Sequence, residues 1–160
     1  MPGPQASIGG RGDARGLAQA VYSSPYKNKS GLKTEEQMAK KILLADDEPN
    51  IVISLEFLLR REGYEVVVAH DGAEALAQVR AERPDMAILD VMMPRRNGFE
   101  VCQDLRQDPE FKDLRIMMLT AKGRDTEVSK GLALGADIYM TKPFSTKDLI
   151  AKVKALIDRE

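Results

Sequence analysis

Five short apolar runs constrain the fold more than anything else in the chain. KILLA (41–45), EVVVA (65–69), MAILD (86–90), IMMLT (116–120) and IYMTK (138–142) are rich in Ile, Val, Leu and Met and barely alternate. A strand with one wet face alternates apolar and polar residues, whereas one covered on both faces does not. The chain must therefore cover a sheet on both sides, and the segments between the runs have the helical period to do it. Asn50–Arg61 follows Pro49, a favoured first-turn residue, and stops at Gly63. Asp71 can cap Gly72–Glu82, which Pro84 ends. Gly98–Gln107 precedes Pro109, Thr126–Leu134 runs into Gly135 as a left-handed cap, and Thr146–Asp158 is the fifth helix. Five such units predict an α/β domain with a doubly wound parallel sheet, right-handed crossovers and helices on both faces.

This regularity occupies residues 41–160. The first forty residues hold six of the chain's twelve glycines, with Pro2, Pro4 and Pro25 and little periodicity. Such a segment buries too little apolar surface to offset its ordering entropy. Residues 1–40 are therefore expected to be a flexible tail, with a short helix at Thr34–Lys40 leading into the domain. Arg11-Gly12-Asp13 resembles an adhesion tripeptide, but three residues are within chance.

Lys plus Arg number 24 against 25 Asp plus Glu, a balance that argues against nucleic acid as a direct partner. The single cysteine, Cys102, excludes an internal disulfide and a cysteine-rich zinc site. It reads as a small half-buried residue, and His70 has no partner cluster. No apolar run approaches the roughly 18 residues of a membrane span, and no signal-peptide core is present, so a soluble, cytoplasmic protein without membrane insertion is expected.

In open parallel sheets ligands bind beyond the carboxyl ends of the strands, where the strand order reverses. Those ends carry Asp46 and Asp47 after the first run, Asp90 after the third, Thr120 after the fourth and Lys142 after the fifth. The second run contributes nothing comparable. That asymmetry fits the order 2-1-3-4-5, which sets the first and third strands side by side at the reversal. Three carboxylates there repel one another, and one hard divalent cation together with Lys142 balances them; Mg2+ suits such oxygen ligands. A balanced metal pocket beside a hydroxyl and an ammonium suits a phosphoryl group. Asp90, on the central strand, is the best-placed nucleophile, with Thr120, Lys142 and the Ala121 N–H around the equatorial oxygens.

The segments LLADDEP, ILDVMMPRRNG, MLTAKG and GADIYMTKPF, in this order and spacing, resemble the signature segments of two-component response-regulator receiver domains. The resemblance covers residues 41–160. It implies a flavodoxin-like fold with the strand order above, and a chemotaxis-type, stand-alone receiver. It implies that Asp90 accepts phosphate from a sensor histidine kinase or a histidine phosphotransfer protein. Mg2+ would be held by Asp47, Asp90 and the Met92 carbonyl, and by Asp46 through water. Thr120 and Lys142 would bind the phosphoryl oxygens, Tyr139 would turn inward when Thr120 shifts, and Lys142-Pro143 would be a cis peptide. Glu48 would lie beside the site without acting in it. A downstream protein would read the 126–160 face.

Other readings use the same residues. Asp46–Glu48 could be a helix-capping turn, although a cap needs one acid. Thr120 and Lys142 could be a packing residue and a solvated turn residue, and Tyr139 a packed aromatic. An aspartyl-phosphate phosphatase of the haloacid-dehalogenase kind places a second Asp two residues after its nucleophile, where this chain has Met92. A receiver fragment of a larger regulator is the other alternative. Receivers joined to winged-helix domains usually pair through a basic residue in the fourth helix and two acids before the tyrosine. Val128 and Ile138 replace two of these here, so a monomer or weak dimer is expected.

Overall fold

The computed structural model describes residues 39–121, 129 and 132–158. The expected tail, apart from Ala39 and Lys40, and most of the helix expected at Thr126–Leu134 lie outside them. Five strands form one sheet: β1 (Lys41–Ala45), β2 (Glu65–Ala69), β3 (Met86–Asp90), β4 (Arg115–Ala121) and β5 (Ile138–Lys142). Their order is β2-β1-β3-β4-β5, every pair parallel, the doubly wound flavodoxin-like arrangement. Among the described residues four helices complete the fold: α1 (Pro49–Arg61), α2 (Gly72–Glu82), α3 (Gly98–Gln107) and α4 (Thr146–Ile157).

The unalternated runs are explained by two cores, one on each sheet face. Successive strand residues point to opposite faces. Leu43, Ala87, Leu89, Ile116 and Met118 thus join Leu76 and Val79 of α2 and Val101 and Leu105 of α3 in one cluster. Ile42, Leu44, Ile88, Met117 and Leu119 join Leu55 and Leu59 of α1 and Leu149 and Val153 of α4 in the other. All five residues of β3 are buried, as befits the middle strand. β2 and β5, at the edges, are only partly covered. Each large apolar side chain fully withdrawn from water contributes about 1.5–3 kcal/mol.

The Asp71 cap forms as the sequence suggests, and Asn97 and Ser145 add two more. The Asp71 side chain accepts from the Glu74 N–H. Asn97 and Glu100 form a reciprocal capping box that opens α3. Ser145 caps α4. The α1 helix begins at Pro49 rather than Asn50, because proline's fixed φ is already helical. Gly63 and Gly135 have φ of +96° and +104°, which explains glycine at both ends. The Lys142-Pro143 peptide is cis.

Candidate phosphoacceptor site

Parallel register brings the strand ends to one edge. Asp90 is the last residue of β3 and pairs with Leu119, while Ala121 of β4 pairs with Lys142 of β5. Asp46 follows β1, and its N–H donates to the Ala69 carbonyl at 3.2 Å, continuing the ladder beyond the strand. A loop from Val91 to Asn97 leads from Asp90 into α3. It is held by Val91 N–H on the Leu119 carbonyl (2.9 Å) and Gly98 N–H on the Val91 carbonyl (2.9 Å).

The Lys142 ammonium closes the constellation. It donates to Asp46 Oδ2 at 3.0 Å, Glu48 Oε1 at 2.6 Å and Asp90 Oδ1 at 3.3 Å. Asp46 is fully buried, and its Oδ1 accepts the Glu48 N–H at 2.9 Å, so both its oxygens are fixed. Asp90 is buried and shares the Lys142 ammonium with it, and Thr120 is buried near the end of β4. A cavity of about 240 Å³ opens over these groups, lined by Asp47, Glu48, Asp90, Met92, Ala121 and Lys142.

Burial pushes the Asp90 carboxyl up to about 7; Asp46 and, more weakly, Asp47 add to this, and Lys142 opposes it. For Lys142, burial alone would lower the pKa. The hydrogen bonds it donates to Glu48 and Asp46 and the charge of Asp90 outweigh it, and the ammonium is held above its ordinary range. The lysine stays charged, while Asp90, chiefly because it is buried, gives up its proton only around neutrality.

The expected site residues fall into place unevenly. Asp46, Asp90 and Lys142 touch directly, and Asp47, Met92 and Ala121 line the cavity. Tyr139 is partly buried against the α2–α3 core and also lines a separate cavity with Phe144 and Lys152. Among the described residues, carboxylate oxygens of Asp46, Glu48 and Asp90 all lie within 4.8 Å of one another. That trio holds Glu48, expected to stand idle, where Asp47 was expected. The difference lies in the turn: Glu48, at φ −90° and ψ 110° before α1, turns its carboxylate onto Lys142. The sequence shows a third acid at this turn but not where its carboxylate points.

The donor set is all oxygen, rich in carboxylate and open on one side, which fits a hard cation such as Mg2+. A carboxylate nucleophile and an ammonium around an open cavity can accept and hold a phosphoryl group.

Known proteins resemble this chain over most of its length. The family described as Response regulator receiver domain matches residues 42–154. The alkaline phosphatase synthesis transcriptional regulatory protein PhoP of Bacillus subtilis is 50% identical over 122 residues, 76% of this chain and 50% of that protein. The chain thus spans about half the length of that relative. Among solved structures, a protein of Chloroflexus aurantiacus J-10-fl assigned as a response regulator aligns with TM-score 0.74 and 38% identity, over 76% of this chain and all of that one. The chemotaxis protein CheY4 of Vibrio cholerae aligns with TM-score 0.70 and 34% identity, over 74% and 99%.

Proposed function

Because the chain belongs to the response-regulator receiver family, we propose that it is the phosphoacceptor of a two-component system, with Asp90 as the residue phosphorylated. The observation that carries this reading is the Lys142 ammonium reaching both Asp46 and Asp90 from the far edge of the sheet. An ammonium placed there can neutralise charge on the phosphoryl oxygens in an in-line transfer.

Receiver domains interact with histidine kinases, and a kinase phosphohistidine or a histidine phosphotransfer protein is the donor in this reading. An Asp90 oxygen attacks phosphorus, the P–N bond breaks, and its electron pair stays on the imidazole nitrogen. Lys142 and Thr120 bind the equatorial oxygens, with the Ala121 N–H beside them. Asp46, Asp47, Asp90 and the Met92 carbonyl would hold Mg2+, which when bound offsets the carboxylate charge and polarises the phosphoryl group. The chain acts as a signalling domain rather than a turnover enzyme, losing phosphate by hydrolysis at Asp90. This chemistry belongs to the cytoplasm.

The output follows from charge. Phosphorylation adds up to about two negative charges beside Thr120. Thr120 moves toward them, Tyr139 fills the space, and the 126–160 face changes its affinity for a downstream protein, a population shift of a few kcal/mol. A second reading is favoured by the 50% match to half of a transcriptional regulator. In it residues 41–160 are the receiver part of a longer regulator, and contact with nucleic acid is made outside the receiver.

The test is phosphorylation by acetyl phosphate with Mg2+, followed by intact mass. The wild-type chain should gain one phosphoryl group and Asp90→Asn none. Persistent labelling of Asp90→Asn at another residue would sink the assignment.

A further inference from the structure

Glu48 is the residue of this site whose position its neighbours' roles leave unexplained. It occupies the N-cap of α1, where a short polar side chain would satisfy the first helical N–H groups. Glu48 makes no side-chain capping bond. Its carboxylate instead gives the Lys142 ammonium its shortest contact, 2.6 Å against 3.0 Å for Asp46 and 3.3 Å for Asp90. The backbone under it is pinned by the buried Asp46, which accepts the Glu48 N–H. The two partners differ in solvation: the Glu48 side chain is 59% exposed and that of Lys142 17%. Both line the cavity over Asp90.

We propose that Glu48 is a positioning residue that parks the Lys142 ammonium at the cavity mouth and releases it when a phosphoryl group arrives on Asp90. This rests on Asp90 being the phosphoacceptor. The Asp90 contact passes to the phosphoryl group on that residue, and an ammonium that moves in toward the phosphoryl oxygens loosens its hold on either Asp46 or Glu48. Asp46 is buried and cannot be resolvated, so giving up that bond would leave a costly unpaired charge. Glu48 is exposed, and water takes over its hydrogen bonds at little cost. It is therefore the partner Lys142 gives up. A dianionic group on Asp90 also repels the Glu48 carboxylate, which favours the exchange. Glu48 thus opposes phosphorylation by the strength of one exposed ion pair, while its charge helps attract a cation to the unphosphorylated site.

The test compares wild type, Glu48→Gln and Asp90→Asn by amide NMR titration, first with Mg2+ alone and then with beryllofluoride at saturating Mg2+. Glu48→Gln should bind beryllofluoride about two- to fivefold more tightly and Mg2+ alone about two- to fivefold more weakly, the range an exposed pair spans. The opposed signs are the signature, since general damage to the site weakens both. Unchanged affinities would make Glu48 a bystander. Loss of both ligands by tenfold or more would make it a direct metal ligand. Equal weakening of both would make it merely structural. Each of these three overturns the parking role. A folded wild-type chain that ignores beryllofluoride with Mg2+ present would instead overturn the phosphoacceptor reading, and the Glu48 role with it.

Discussion

At the scale of single residues, the acids after β1 divide by burial. Asp46 is sealed and doubly hydrogen-bonded, Asp47 faces the cavity, and Glu48 stands at the rim on Lys142. Asp90 bears the electrostatic consequence, with its carboxyl raised from 3.8 to about 7 by burial and then by Asp46. A raised folded pKa means that the native state binds this proton more tightly than the unfolded chain does. The group's stabilising effect is therefore fully present below pH 3.8 and is lost as pH rises through about 7. In chelator, urea melts from pH 5 to 8 should show wild type losing stability relative to Asp90→Asn as pH rises. A difference that stays flat would place the Asp90 carboxyl in its ordinary range. Mg2+ requires the ionised carboxylate, so its apparent affinity should fall below pH 7, by up to about tenfold per unit. Thermal shift with and without Mg2+ at pH 6 and pH 8 reads this directly, with the larger stabilisation at pH 8.

At the scale of elements, how α3 seats under the end of β3 determines where Asp90 points. Gly98, the first residue of α3, allows that approach: a Cβ there would lie 2.5 Å from the Asp90 carbonyl oxygen and 2.9 Å from Met118 Cε. Gly98→Ala should therefore cost about 1–3 kcal/mol by overpacking and also weaken Mg2+ binding, because the displaced backbone is that of Asp90. Gly63 provides the contrast, with φ of +96° and open space, nothing within 4 Å, where a Cβ would stand. Gly63→Ala should cost about 1–2 kcal/mol through backbone conformation and leave Mg2+ affinity unchanged. Urea melts and Mg2+ titration of both variants separate the two effects. Much of this level was legible beforehand. Unalternated runs imply two covered faces, and parallel topology then forces Asp46, Asp90, Thr120 and Lys142 to one edge. The direction of Glu48 was not legible, because it depends on the φ and ψ of a single turn residue. The capping box of Asn97 and Glu100 could have been read from its spacing.

At the scale of the whole molecule, one side chain ties together parts that sequence distance separates. Arg106 of α3 donates from Nε to the Gly135 carbonyl at 2.8 Å, and from Nη1 to the Lys112 and Leu114 carbonyls at 3.1 and 2.7 Å. Its Nη2 reaches Asp137 Oδ2 at 3.0 Å, the same oxygen that accepts the Ile116 N–H at 2.8 Å. One guanidinium thus joins α3, the loop after it, the start of β4 and the entry to β5. No local pattern announces such a hub, because its partners are mostly backbone carbonyls brought near by the fold, and carbonyls carry no sequence identity. The pair is largely shielded, with Arg106 18% and Asp137 19% exposed, so losing one partner leaves the other charge poorly solvated. Arg106→Met should lower stability by about 2–3 kcal/mol in urea melts, more than an exposed arginine would cost. Asp137→Asn should cost less, since the amide oxygen still accepts from Ile116. The double variant should be more stable than the sum of the two losses predicts, by about 1 kcal/mol, because both single changes break the same ion pair. Strict additivity would mean that water already solvates Asp137 when Arg106 is gone, and that the hub acts through its carbonyl contacts alone.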